Sequence, residues 1–162
     1  MNLSELPDKI RYTYSTINDV IPIKAQFLLT LAKQLKRYIM GKSKDLGLLI
    51  LRVGLSALML THGYGKFRQL LDGDMSFGNP LGIGAAATLV LAVIGEFLCP
   101  VLIILGVKTR LATIIPIITM AVAAFMVHGA DPIGTKEKAL LYLIGFIAIG
   151  LMGAGKFSVD RK

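Results

Sequence analysis

Cysteine occurs once in the 162 residues, as Cys99. A single thiol excludes an intrachain disulfide and any paired-cysteine redox centre. Next to Pro100 inside an apolar run, it reads as a packing residue. Acidic residues are scarce, 10 against 18 Lys and Arg. A surplus of positive charge suits nucleic acid or an anionic membrane surface. The basic residues flank apolar runs and form no single tract interleaved with aromatics, so nucleic acid is not the expected partner. No Walker loop, dinucleotide fingerprint or hydrolase signature is present. Gly63-Tyr64-Gly65-Lys66 is too short for a phosphate loop and reads as a flexible helix end. Internal repeats are missing too. No secretory leader is expected, because the first apolar stretch that can span a membrane starts only near Leu46.

What the sequence has in abundance is hydrophobicity: 54% of residues, with a mean hydropathy of +0.68. A soluble domain of this size cannot hide that much apolar surface. A helix needs about 20 mostly apolar residues to cross a bilayer core. Four stretches meet or approach this: Leu46–Gly65, Leu81–Val107, Leu111–Ala130 and Ala139–Gly155. Arg52 and Glu96 are the only charges in the first two, apart from which the spans hold only late histidines. Short links such as Gly106–Arg110 turn consecutive helices antiparallel. The expected fold is all-α: an integral membrane four-helix antiparallel bundle.

Charge distribution orients it. With a cytoplasmic N-terminus, the inner side holds Lys9, Arg11, Lys24, Lys33, Lys36, Arg37, Lys42, Lys44, Lys108, Arg110, Lys156, Arg161 and Lys162. The outer side holds Lys66, Arg68, Lys136 and Lys138. The positive-inside rule then places both termini in the cytoplasm of a multi-pass protein. Residues 1–45 form an extension, 46–157 the transmembrane domain and 158–162 a cytoplasmic tail. Within the extension, Leu28, Leu31, Ala32, Leu35 and Ile39 recur at helical spacing over Ile23–Met40, opposite Gln26, Lys33 and Arg37. That pattern describes a basic amphipathic helix suited to an anionic membrane surface or to a partner. Gly41 is expected to end it.

Ionisable groups in a bilayer are costly, which makes each a candidate site. At about 1.5 Å of rise per residue, Arg52 lies roughly 9 Å and Glu96 roughly 16 Å from the inner end of its span. An interhelical Arg52–Glu96 ion pair is therefore expected, either fixing helix register or serving proton or substrate chemistry. Small residues on the Glu96 stripe (Ala85, Thr88, Ala92, Cys99) let a neighbouring helix approach. His62 and His128 fall at similar depth, roughly 24–26 Å in. Lys66, Asp131 and Glu137 border that level, giving an expected outer polar cluster. Two histidines with nearby carboxylates do not make up a defined metal site, and a haem on histidine alone is a weaker reading. No residue is assigned as catalytic.

Three segments carry a resemblance: LRVGLSALMLTHGYGKF (Leu51–Phe67), GEFLCPVLIILGVKTRLA (Gly95–Ala112) and HGADPIGTKEKALLYLIGFIAIGLMGAGKFSVD (His128–Asp160). With them the chain resembles the DoxX family of small bacterial membrane proteins. The resemblance implies a four-helix bundle in the bacterial inner membrane and a link to redox chemistry. Some members are subunits of quinone-reducing oxidoreductases and others are partners in oxidative-stress complexes. The family-like polar positions are Arg52, His62, Lys66, Glu96, His128 and Glu137. Three roles follow as expectations. The first is a membrane subunit of a quinone-linked oxidoreductase, with the outer cluster binding quinone and passing protons. The second is an anchor or assembly partner for a soluble redox subunit, homo-oligomeric or not. The third is a small-solute transporter built around Arg52.

Overall fold

The structure is a computed structural model that describes residues 7–160, with side chains described outside 14–24. The side chains of Ile23 and Lys24, together with Arg161 and Lys162, lie outside the described residues. The described residues are helical and contain no strand. The helices are α1 (Asp8–Leu71), α2 (Ala85–Val93), α3 (Cys99–Leu105), α4 (Thr109–Ala112), α5 (Ile114–Val122) and α6 (Ile133–Met152). Wider π-type turns at Ile94–Leu98 and Ala123–Val127 join α2 to α3 and extend α5.

The chain divides into two compact units, Met1–Ser43 and Lys44–Lys162. In the first, the helix from Ala25 to Lys42 exposes Leu28, Leu31, Leu35 and Ile39. Helix α1 is continuous through Gly41, which is not in the left-handed region, contrary to the break expected there. One glycine weakens a helix by about 1 kcal/mol relative to alanine, and stops it only when the backbone also turns left-handed. The same correction applies to Gly63 and Gly65, which lie inside α1 and do not fray its end.

Among the described residues three helical stretches are long and apolar enough to cross a membrane: Ala25–Leu71, Ala85–Leu105 and Thr109–Val127. The stretch α6 has 20 residues but opens with Lys136, Glu137 and Lys138, which shorten its uncharged part. In the second unit the core joins Met59 of α1, Ile103 of α3, Ala112 of α4, Met120 of α5, and Phe146 and Ile149 of α6. Outside it, Leu98, Leu105, Ile114, Ile118, Phe125, Ile144 and Leu151 are exposed. Such a continuous apolar exterior fits lipid better than water.

Small residues set the helix spacing. Position 63 of α1 meets the Glu96 main chain, Gly145 of α6 meets Leu55, Gly150 meets Thr113, and Gly155 meets Leu48. The α1 contacts with α6 run in opposite chain directions, as do those of α1 with the α2–α3 stretch. After α3 the chain reverses at Gly106, whose φ of 75° is left-handed. Hydrogen bonds from Val107 N to Leu102 O (3.0 Å) and from Gly106 N to Ile103 O (3.1 Å) close the helix end. This is the Schellman arrangement, which favours glycine.

Candidate functional site: two polar layers

Glu96 is only 6% exposed. It sits in the π-type turn, where Cys99 N–H reaches back five residues to Ile94 O. Pro100 lies four residues after Glu96 and has no N–H, so the Glu96 carbonyl loses its ordinary α-helical donor. Turns of this type often mark functional sites. The freed carbonyl faces Gly63 of α1.

This crossing decides the ion pairing. The Glu96 carboxylate accepts from Lys66 Nζ, three residues beyond Gly63, and not from Arg52. Arg52 instead lies against Gly106 and donates to the Phe157 carbonyl. The expected Arg52–Glu96 pair is thus replaced, for a reason of register. The sequence-based depths took Leu46 and Val107 as level, whereas α1 meets the end of α3 at Arg52. Glu96 therefore stands about 15 Å from that level, ten residues further along the helix.

Around the Lys66–Glu96 pair, Phe67 and Phe97 stack at 4.4 Å with their planes 5° apart. Tyr142 of α6 lies within electrostatic reach of Glu96. The His62 ring meets Tyr142 edge-on at 5.8 Å, and Tyr142 stacks at 6.3 Å on Phe146. His62, Lys66, Glu96 and Tyr142 thus form one group drawn from three helices. The Lys66 side chain is 26% exposed, so the group borders the surface.

The remaining members of the expected outer cluster stand differently. His128 Nδ1 and Asp131 Oδ2 are 2.8 Å apart, a local pair one turn apart in sequence. Lys136 Nζ donates to Gly129 O at 3.0 Å. Glu137 is exposed. Among the described residues no three His, Cys, Asp or Glu side chains converge as a metal site. Sequence reading missed Tyr142, because an aromatic residue on an apolar helix face carries no signal of its own. It also missed the inner layer around Arg52, where Ser56, Thr109 and Asp160 gather.

A family model described as DoxX matches residues 47–129. The "Putative oxidoreductase CatD" of Bacillus subtilis is 30% identical over 122 residues, covering 75% of this chain and 90% of that protein. An uncharacterized protein of Haemophilus influenzae is 32% identical over 126 residues, covering 71% of this chain and 89% of its own length. The "Inner membrane protein YqjF" of Escherichia coli is 27% identical over 126 residues, covering 75% and 95%. No solved structure matches the chain.

Proposed function

The chain belongs to the DoxX family of membrane proteins, and we propose on that footing that it is a membrane subunit of a quinone-linked oxidoreductase. The observation that carries this reading is the His62–Lys66–Glu96–Tyr142 group at the meeting of three helices. A quinone needs hydrogen-bond donors at its carbonyl oxygens and, on reduction, two electrons and two protons. Tyr142 and His62 supply donors beside an apolar wall. An imidazole can accept a proton on one ring nitrogen and give one from the other, and the Glu96–Lys66 pair belongs to the same group. The sequence carries no nucleotide fingerprint, so the electrons are assigned to a soluble redox partner. The name of the Bacillus subtilis relative agrees with a redox role.

The same proposal places the protein in the bacterial inner membrane, the site named for the Escherichia coli relative. The transmembrane domain is read as a four-span antiparallel bundle, with α6 crossing from its basic start and both termini cytoplasmic. Residues 1–45 are read as an extension whose exposed Leu28, Leu31, Leu35 and Ile39 meet the anionic inner leaflet, which requires α1 to bend where the extension joins its spanning part. This extension precedes the family match at residue 47, which favours a second role as an anchor for the soluble partner.

Purified protein in nanodiscs should bind a short-chain ubiquinone or menaquinone saturably. His62→Ala and Tyr142→Phe should each weaken that binding about tenfold, as expected for loss of a hydrogen-bond donor. Equal binding to empty nanodiscs, together with unchanged quinone reduction in membranes of a deletion strain, overturns the reading.

A further inference from the structure

The second polar layer lies at the other end of the helices, around Arg52. Arg52 is 1% exposed, Ser56 0% and Thr109 1%. A guanidinium remains protonated and presents five N–H donors in a planar fork. Among the described residues only Nη2 has a partner, the Phe157 carbonyl. Arg52 Nε and Nη1 have none, and the hydroxyls of Ser56 and Thr109 are equally unpaired. Buried polar atoms are nearly always satisfied, so these four orphans call for an explanation.

The segments that carry these atoms meet around Arg52. Ser56 is one turn beyond Arg52 on the same face of α1. Gly106 brings the end of α3 against Arg52 Nη1, and Thr109 follows three residues later at the start of α4. The segment after α6 covers them: Val159 N donates to Leu105 O at 3.2 Å and Asp160 N to Gly106 O at 3.0 Å. The Asp160 carboxylate accepts from Thr109 N at 3.2 Å. It lies within electrostatic reach of Arg52 yet makes no ion pair with it within 4.0 Å.

We propose that Arg52, Ser56 and Thr109 form a binding site for a small oxoanion. Every unpaired atom can donate, and the buried charge in this layer is that of Arg52, so the site favours a negative, acceptor-rich group over a cation. Nε–H and Nη1–H lie on the two edges of the guanidinium that flank Nη2, so an anion on either edge accepts from one of them, and the hydroxyls offer further donors. Among the described residues Asp160 is the carboxylate nearest in charge to Arg52. Its tie to the Thr109 N–H leaves Nε and Nη1 unpaired while its charge limits affinity. The site sits beside the α3–α4 turn, where the chain leaves the apolar helices. An anion can therefore arrive as a free ion from solution or as the phosphate of a lipid headgroup.

Inorganic phosphate and sulfate, titrated into delipidated full-length protein in neutral detergent at constant ionic strength, test this by thermal unfolding and native mass spectrometry. Either anion should raise the melting temperature saturably where chloride does not. Ser56→Ala/Thr109→Ala should raise the half-saturating concentration about tenfold, the loss expected for hydrogen bonds to a charged group. Arg52→Lys should do the same, because one ammonium cannot replace donors at both Nε and Nη1 while still reaching the Phe157 carbonyl. Asp160→Asn should tighten binding by removing the neighbouring negative charge. Protection by short-chain phosphatidylglycerol without protection by free phosphate identifies the headgroup as the source, and the reverse identifies the free ion. No response beyond chloride from either source overturns the proposal. So does a response unchanged in Ser56→Ala/Thr109→Ala. Loss of stability in Asp160→Asn without any gain in anion binding also overturns it, because Asp160 would then be the native partner of Arg52.

Discussion

Gly63 of α1 lies against the main-chain carbonyl of Glu96 so closely that a methyl group at position 63 would overlap it. That approach is the pivot of the outer polar layer. It sets Lys66 one turn further along α1, within reach of the Glu96 carboxylate, and it lets Phe67 stack on Phe97. Gly63→Ala must push the helices apart or shift their register. The expected cost is that of an overpacked core, about 1–3 kcal/mol. Gly65→Ala is the matched control, since nothing lies within 4 Å of a Cβ there. Thermal unfolding in detergent should show a lowered midpoint for Gly63→Ala and an unchanged or slightly raised one for Gly65→Ala. Equal midpoints for the two variants would contradict the crossing.

The Lys66–Glu96 pair makes a second, separate prediction. Removing one partner of a buried pair leaves an uncompensated charge, at a cost of roughly 3–5 kcal/mol. Lys66 keeps some solvent, so Glu96→Gln should fall toward the low end of that range. Lys66→Met, which leaves the buried carboxylate alone, should be the worse of the two. The double variant should be less destabilised than the two single effects combined, because no lone charge remains. Additive effects in the four-member cycle would show that the two groups are not coupled.

Much of this was legible in the sequence, and the reasons differ by level. Long apolar runs announced the helices, because bilayer thickness fixes their length. Glu96 and Lys66 stood out because charges are rare in such runs. Their partnership did not, because register between helices depends on which residues touch. The decisive residue, Gly63, looks like a helix end when read locally. Counting depth from the assumed span ends paired Glu96 with Arg52, when α1 in fact continues to Leu71 and meets Gly106 at Arg52. Likewise the unpaired donors of Ser56 and Thr109 appear only once α1, the α3–α4 turn and the segment after α6 are brought together.

Gly106 tests that inner junction independently of any ligand. Its φ of 75° is unfavourable for a side chain, and an added Cβ would also collide with Arg52 Nη1 and with Ser158. Gly73 has a similar φ of 76° but open space around it. Alanine at position 73 should show only the left-handed backbone cost, about 1–2 kcal/mol. Alanine at position 106 should exceed it by a further overpacking cost of about 1–3 kcal/mol. Paired unfolding measurements check the difference, and a Gly106→Ala protein no less stable than Gly73→Ala would place Arg52 elsewhere.

The loop between α1 and α2 offers a prediction in pH. Asp74 is held below its ordinary carboxylate range, first by the Ser76 hydroxyl, then by the Ser76 N–H at 2.9 Å, with a lesser contribution from Gln69. Burial acts weakly in the opposite direction. A carboxyl whose folded-state pKa is depressed stabilises its loop at pH above the unfolded value, near 3.9 for aspartate. That contribution is lost as pH falls through the lower folded value. At neutral pH the contribution is therefore fully present; it declines as pH falls below the unfolded value and is gone only below the lowered folded one. Carbon-detected NMR of the Asp74 carboxyl should give a midpoint below the ordinary aspartate range. Ser76→Ala removes the largest cause while keeping the N–H bond, so the midpoint should rise part of the way back. A midpoint that Ser76→Ala leaves in place would mean that the hydroxyl does not hold the carboxylate.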